Sequence, residues 1–205
     1  MLHTQTLTPQ TLGLIQALQE EPLLQGFHLV GGTALALQIG HRISIDIDLF
    51  TRDDYDVDDV LNLFIGKYGF QRNYQRGKTL KGAIDGVMVD LIRHDYAELQ
   101  VIEEDHIRML SAKDIAAMKL NAITGNGTRV KDFIDVYFLL DQFRLEEMIE
   151  FYKMKYQQDD GLMILRSLVY FDDVDLAEWP RLFRENTLTF GQVKNRIIDA
   201  VKPLL

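Results

Sequence analysis

Residues 29–50 read LVGGTALALQIGHRISIDIDLF and hold the densest group of chemically informative residues in the chain. A short apolar run ends at Gly31-Gly32, a stretch rich in alanine and leucine follows, and Asp46 and Asp48 lie two residues apart. This order predicts a strand, a tight turn, a helix and a second strand.

The second predicted strand covers residues 44–50 and places Asp46 and Asp48 on one face, because residues two apart in a strand point the same way. Adjacent carboxylates repel each other unless a proton or a cation lies between them, and Mg²⁺ prefers one or two carboxylates plus phosphate oxygens. The alternative is a pair of solvated acids on an edge strand. The apolar residues of the same stretch are expected to face the core: Ile45, Ile47 and Leu49.

Gly31 and Gly32 precede the predicted helix, where backbone N–H groups and the helix N-terminus favour phosphate. They could equally form a plain strand–helix turn.

A third acid, Asp90, interrupts the apolar run 87–92. A buried charge needs a partner, so Asp90 is either a metal ligand or general base, or a salt-bridged structural residue.

The composition is that of a globular protein, with 47% hydrophobic and 26% charged residues. The absence of cysteine excludes disulfides, thiolate nucleophiles and cysteine-bound zinc. No apolar run approaches the ~20 residues that span a bilayer, and the N-terminus lacks signal-peptide features, so we expect a cytoplasmic protein without membrane contact.

The net charge of -9 is concentrated near the N-terminus, where residues 46–59 contain seven aspartates and one arginine. Such a patch repels nucleic acid unless cations bridge it. Four basic residues follow in a predicted hairpin, which is either a local RNA path or a solvated surface: Arg72, Arg76, Lys78 and Lys81.

Periodicity predicts an α/β region over residues 1–110 and a helical region over residues 111–205, with a cleft between them. Residues 70–93 are predicted to form two or three strands with a turn at Asp85-Gly86. Ser111 is predicted to begin a helix as its N-cap, with an acid at the N3 position. The predicted helices span residues 9–20, 33–39, 58–67, 111–123, 130–143, 145–156, 161–171 and 190–201.

Lys119 interrupts a largely apolar predicted helix, and a lysine that reaches into the cleft would hold phosphate as a point charge. Arg129, Lys131, Asp132 and Asp135 open the next helix, where surface ion pairing is the alternative role. The spacing leaves open whether Asp132 or Asp135 is the functional acid.

Two blocks, residues 29–50 and residues 114–137, resemble the AbiEii/AbiGii toxin family of nucleotidyltransferase-like proteins. The resemblance implies a polymerase-β-like fold, an α/β mixed sheet with flanking helices followed by a C-terminal helical bundle. It also implies an NTP substrate with Mg²⁺ or Mn²⁺, a toxin–antitoxin or phage-defence role, and a cognate antitoxin. Some relatives transfer nucleotides to tRNA ends, so the acceptor is expected to be RNA or protein.

The resemblance assigns roles to residues of this chain. The metal carboxylates would be Asp46 and Asp48, and the downstream catalytic pair would be Lys119 and Asp132. Asp90, singled out by its place in an apolar strand and not by the resemblance, could complete the metal site or act as the base. The nucleotide-binding set would be Gly31, Gly32, Thr33, Arg42, Ser44, Lys119 and Asp135. The rival hypotheses are a non-catalytic protein that keeps the fold and binds a nucleotide or a partner, and a nuclease that uses the same carboxylates.

Overall fold

The computed structural model describes all 205 residues, which form a seven-stranded mixed sheet and eight α-helices. The strands are β1 (His28–Val30), β2 (Ile47–Thr51), β3 (Gln71–Arg76), β4 (Thr79–Ile84), β5 (Val87–Arg93), β6 (Val101–Glu104) and β7 (Ile107–Leu110). The helices are α1 (Pro9–Gln19), α2 (Gly31–Ile39), α3 (Val57–Tyr68), α4 (Ala112–Gly125), α5 (Val130–Leu139), α6 (Leu145–Tyr156), α7 (Gly161–Leu168) and α8 (Phe190–Val201).

The strand order β3-β4-β5-β2-β1-β7-β6 places β2 at the centre of the sheet. β2 is antiparallel to β1 and parallel to β5, and β1 is parallel to β7. In this register Asp48 lies between Val30 of β1 and Asp90 of β5. The sheet therefore brings two acids that are far apart in sequence to adjacent positions.

Local sequence signals explain several boundaries, and the structure confirms the predictions based on them. The Thr8 hydroxyl accepts a hydrogen bond from the Thr11 backbone N–H at 3.0 Å and caps α1. Gly40 has a φ of 66° and ends α2 in the left-handed conformation. Asp85 and Gly86, with φ values of 48° and 81°, form the tight turn between β4 and β5.

The prediction for the start of β2 is wrong. The strand begins at Ile47 rather than Ser44, and Ile45, expected in the core, is 55% exposed. The backbone N–H of Ile43 donates to the Arg181 carbonyl at 2.9 Å, and that of Ser44 donates to the Thr6 carbonyl at 3.1 Å. These distant partners hold residues 43–46 away from the sheet, so alternation does not decide which way Ile45 points.

Other differences lie outside the central strands. Strands β6 and β7 were not predicted, and the largely exposed β6 carries little apolar alternation. Helix α5 ends four residues early because Asp141 and Gln142 donate to the carbonyls three residues before them, which tightens the chain into a turn. Helix α7 also ends early, at Leu168 rather than at residue 171.

Helix α4 begins after Ser111 as predicted, but Asp114 does not complete a capping box. Its buried carboxylate accepts from the backbone N–H groups of Leu99 and Gln100, both at 2.9 Å, and pairs with Lys155 at 2.9 Å. The acid at the helix start therefore joins α4 to α6 and to the segment before β6.

A single cluster of 50 buried hydrophobic residues contains side chains from both the sheet and the helical half. The boundary at residue 110 coincides with the last strand, and its status as a limit between folding units stays a prediction. None of the helices combines the length and apolar composition needed to cross a membrane.

Candidate active site

The N-terminus of α2 forms one wall of the candidate site. The helix begins at Gly31 directly after β1, and the Val30 side chain gives its first turn no hydrogen bond. The first N–H groups of any helix lack intrahelical acceptors, and they attract anions. The helix starts two residues before the predicted Thr33, and Gly31 itself keeps a left-handed turn conformation, with a φ of 69°.

Both glycines leave room for charged side chains. Gly31 has a φ of 69°, a left-handed conformation that side chains disfavour, and a Cβ there would overlap the Asp48 carboxylate. A Cβ on Gly32 would overlap the Arg42 guanidinium. The glycine pair therefore lets an acid and a cation approach the same helix N-terminus.

Thr33 fixes the segment that carries Asp46. Its hydroxyl donates to the Asp46 carbonyl and shares a 2.9 Å hydrogen bond with the Ser44 hydroxyl. Arg42 also reaches the Ser44 hydroxyl, at 3.4 Å. Thr33 and Ser44 line the cavity, and these bonds give them a positioning role; that they contact a nucleotide stays a prediction.

Asp48 and Asp90 lie side by side on β2 and β5. Burial raises the pKa of Asp48 to about 6, and the negative charge of Asp90 adds to this effect. Asp90 forms an ion pair with Lys81 on β4. Asp90 thus has Lys81 as its counter-ion, whereas the Asp48 carboxylate is costly to ionise.

The carboxylates of Asp46 and Asp48 are suitable ligands for a divalent cation. Asp46 and Asp48 line the same cavity, and hard carboxylate oxygens suit Mg²⁺, which often takes one or two protein carboxylates together with substrate phosphates. No group of three or more His, Cys, Asp or Glu side chains is arranged as a metal site. Asp90, already paired with Lys81, is not gathered with the other two into such a group.

Lys119 on α4 reaches the site from the helical half. Its Nζ lies 2.6 Å from Asp132 Oδ1 and 2.7 Å from Asp135 Oδ2. Burial opposes the lysine charge, but Asp135 and Asp132 outweigh it and raise the Lys119 pKa. The lysine is therefore a charged group held in a fixed place.

Asp135 is completely buried and its carboxylate is saturated. It accepts from His41 Nε2 at 2.7 Å and from Arg42 Nε and Nη2 at 2.7 and 2.9 Å, besides pairing with Lys119. Burial acts against its ionisation, but Arg42 and Lys119 hold the Asp135 pKa well below its ordinary value. It lines neither of the two cavities at the site, and its predicted role in nucleotide binding stays a prediction.

Asp132 is placed differently. Its Oδ1 pairs with Lys119, its buried Oδ2 accepts no hydrogen bond and lies 3.9 Å from Arg129 Nε, and the residue lines a cavity. Both acids hold Lys119, but Asp132 also lines a cavity, whereas Asp135 lines neither cavity and contacts only protein side chains. Which of them is the functional acid stays a prediction.

Two cavities meet at this point. The first, of about 340 Å³, is here called the cationic cavity because five of its residues are basic and three are acidic. It is lined by Gly32, Thr33, Arg42, Ile43, Ser44, Ile45, Asp46, Asp48, Lys119, Arg129, Lys131, Glu178, Trp179, Pro180 and Arg181.

The second cavity, of about 290 Å³, is here called the aromatic cavity, after Phe50, His94 and Tyr156 in its wall. It is also lined by Val30, Gly31, Gly32, Asp48, Lys81, Asp90, Ile92, Met118, Lys119, Asn121, Ala122, Arg129 and Asp132. The residues common to both cavities are Gly32, Asp48, Lys119 and Arg129.

Sequence reasoning missed two parts of the site. Trp179, Pro180 and Arg181 belong to an irregular segment without a motif, although a lone tryptophan there was a usable signal. Phe50 and His94 face each other at 5.1 Å between ring centres, through strand pairing that no local pattern reveals.

The raised pKa of Asp48 predicts a specific pH dependence. Because the folded state binds this proton more tightly than the unfolded chain, the Asp48 contribution to stability is lost as pH rises from about 4 to about 6. Asp48→Asn should match wild type in acid and exceed it by roughly 1–3 kcal/mol above that range. Urea unfolding of both proteins in EDTA across pH checks this, and equal stabilities near neutral pH would contradict it.

The fold is similar to the folds of two proteins described as a nucleotidyltransferase and as an antibiotic-resistance factor. A crystal structure of an H. pylori protein classed as a nucleotidyltransferase matches 96% of this chain and 95% of that chain, with a TM-score of 0.59 and 16% identity. The solution structure of the antibiotic-resistance factor ANT(2'')-Ia matches 74% of this chain and 91% of that chain, with a TM-score of 0.57 and 15% identity. The predicted fold class is confirmed.

Sequence comparison defines the family. Residues 13–96 and 81–194 match the family described as nucleotidyl transferase AbiEii toxin, Type IV TA system, and this chain belongs to that family. An uncharacterized protein of Aquifex aeolicus (strain VF5) is 37% identical over 154 residues, which cover 72% of this chain and 74% of the relative. The predicted family is confirmed.

Proposed function

We propose that this protein is a Mg²⁺-dependent nucleotidyltransferase that moves a nucleotide from an NTP to a hydroxyl group of an RNA end. The observation that carries the proposal is the meeting of two cavities at Asp48 and Lys119. Transfer needs a donor and an acceptor on opposite sides of one phosphorus atom, and two adjoining cavities supply both places.

The cationic cavity suits the NTP. Arg42, Lys119 and Arg129 offer positive charge to a triphosphate, and the uncapped α2 N-terminus adds backbone donors at Gly32. Asp46 and Asp48 on the same wall would hold the cation. A bound Mg²⁺ would neutralise charge on the phosphates and stabilise the developing charge of the transition state.

The aromatic cavity suits the end of an RNA chain. Its aromatic rings offer stacking surfaces for a base. Across the sheet, Asp90 lies opposite Lys81, which lies opposite Tyr74 on β3, so an exposed aromatic and basic groups continue the same sheet face. A peptide acceptor would need no row of stacking surfaces and cations, so RNA is favoured over protein.

Each side chain at the site then has its own role in the transfer reaction. Asp90, held by Lys81, faces the acceptor side and receives the proton of the attacking hydroxyl. The new bond joins that oxygen to the α-phosphorus, the bond to the β-phosphate oxygen breaks, and pyrophosphate leaves. Lys119 holds phosphate oxygens during the exchange, while Asp132 and Asp135 keep the lysine charged and in place.

The test is incubation of the protein with each α-labelled NTP, Mg²⁺ and either total bacterial RNA or total bacterial protein. Label should enter RNA, and RNA whose terminal diol was oxidised with periodate should accept none. Label in the protein fraction alone would overturn the RNA acceptor. No label with any NTP or acceptor would overturn the transferase in favour of a non-catalytic binding protein.

Binding of the nucleotide can be tested separately from transfer. An Mg²⁺–NTP pair at about a hundredfold excess over Kd should stabilise the fold by about 2.7 kcal/mol, a rise in Tm of roughly 5–10 °C for a chain of this size. Thermal melts with Mg²⁺ alone, NTP alone and both together measure it. Unchanged melting with all four NTPs at millimolar concentration would contradict nucleotide binding.

The family further supports a role as the toxin of a toxin–antitoxin pair with a cognate antitoxin protein. Expression of the wild type in a bacterial host should arrest growth, and Asp48→Asn should not, because growth arrest would depend on transfer. Equal arrest by the two proteins at equal abundance would show that toxicity does not come from this site.

A further inference from the structure

An irregular segment of the C-terminal half crosses the cationic cavity. It covers residues 175–183 and is called the strap here. At one end the backbone N–H of Asp175 donates to the Thr128 carbonyl at 2.8 Å. At the other end, the Arg181 carbonyl accepts a hydrogen bond from the Ile43 backbone N–H at 2.9 Å. The Phe183 backbone N–H donates to the His41 carbonyl at 2.8 Å. The strap is thus fixed on both sides of the cavity.

Trp179 lies between these fixed points and lines the cavity. Its neighbour Glu178 pairs with Lys131 at 3.1 Å, and Pro180 restricts the backbone immediately after it. Trp179 is only partly buried against the hydrophobic core. A large aromatic side chain is therefore held at the cavity wall rather than enclosed in the core.

Ile45 supplies a second apolar surface. It lines the same cavity and is 55% exposed, although its sequence position predicted burial. Most of the remaining lining is polar or charged. An NTP consists of a charged triphosphate, a polar sugar and a planar base, and only the base gains from apolar and aromatic contact.

We propose that Trp179, with Ile45, forms the nucleobase subsite of the NTP, and that Trp179 stacks on the base. The inference rests on the proposed function and adds where the base binds. Stacking uses the face that every base has, so this subsite contributes affinity for all four NTPs. The discrimination between a nucleotide and a bare polyphosphate would come from this wall.

Trp179 is the single tryptophan of the chain, so intrinsic tryptophan fluorescence reports on this position alone. Titration of the wild type with Mg²⁺ and ATP, CTP, GTP or UTP should quench the emission. Inorganic tripolyphosphate with Mg²⁺ should bind without comparable quenching. Calorimetry under the same conditions measures affinity independently of the fluorescence.

The matched variants are Trp179→Ala, Trp179→Phe and, on the exposed side of the strap, Phe183→Ala. Trp179→Ala should weaken NTP binding by about tenfold to a hundredfold and leave tripolyphosphate binding unchanged, since base stacking is worth about 1–3 kcal/mol. Trp179→Phe should retain most of the affinity, and Phe183→Ala all of it. If Trp179→Ala does not fold, the wild-type titration decides the matter, because quenching by NTPs but not by tripolyphosphate requires the base to lie against Trp179.

Two results would overturn the inference, and they differ. NTP binding by calorimetry with silent tryptophan fluorescence, or with equal affinity in Trp179→Ala, removes the base subsite and leaves the proposed function standing. Failure of every NTP to bind the wild type overturns the proposed function and the base subsite together.

Discussion

Asp48→Asn is expected to reduce nucleotide transfer by at least about 10²–10³-fold, because one preorganised charge of the reaction centre disappears. Asp48 is the acid common to both cavities, and it lies beside Asp90 at the centre of the sheet. Asn keeps nearly the same volume but is a weak ligand for a divalent cation. Initial rates of label transfer to RNA measure the effect.

The control is Asp58→Asn, an exposed acid in the first turn of α3 that lies outside both cavities. It should keep wild-type rates. A folded Asp48→Asn protein with wild-type rates would mean that the reaction does not use this carboxylate. The combination of lost transfer and higher stability near neutral pH would be hard to produce by damage to the fold.

Local patterns in the sequence predicted the strands that carry Asp48 and Asp90, but not the order of the strands in the sheet. Gly31, Gly32, Asp48 and Asp90 were predicted as site residues from turn chemistry and from acids within apolar strands, and the structure brings all four to one place. The period-two alternation of apolar residues wrongly predicted that Ile45, one residue before Asp46, is buried in the core. Ile45 belongs to a segment held by backbone bonds to Thr6 and Arg181, and contacts so distant in sequence leave no local pattern.

The roles of Asp132 and Asp135 show a different limit. The two aspartates lie three residues apart on α5, and both contact Lys119 on α4, so spacing alone cannot separate them. They differ in their other hydrogen-bond partners, since His41 and Arg42, in the segment after α2, both donate to Asp135. The strap carrying Trp179 was missed for the same reason, because its position depends on bonds to residues more than 40 positions away.

Asp135→Asn is expected to be strongly destabilising, by about 3–5 kcal/mol, because it removes the partner of buried cations. The Arg42 and Lys119 charges both lie against this fully buried carboxylate. Lys119 keeps Asp132, but Arg42 loses both of its short contacts to an anion. Urea or guanidinium unfolding followed by circular dichroism measures the difference from wild type.

The pH dependence of this difference has a definite sign. The Asp135 pKa is well below its ordinary value of 3.8 in the folded protein, so its stabilisation is present above that pH and is lost only as pH falls further. Wild type and Asp135→Asn should therefore differ most near neutral pH and converge in strong acid. Asp132→Asn is the matched control on the same helix, because Lys119 would retain Asp135 and Arg42 would keep its ion pair. If Asp132→Asn were the more destabilising of the two, Asp135 would not be the residue that holds the cations of this site together.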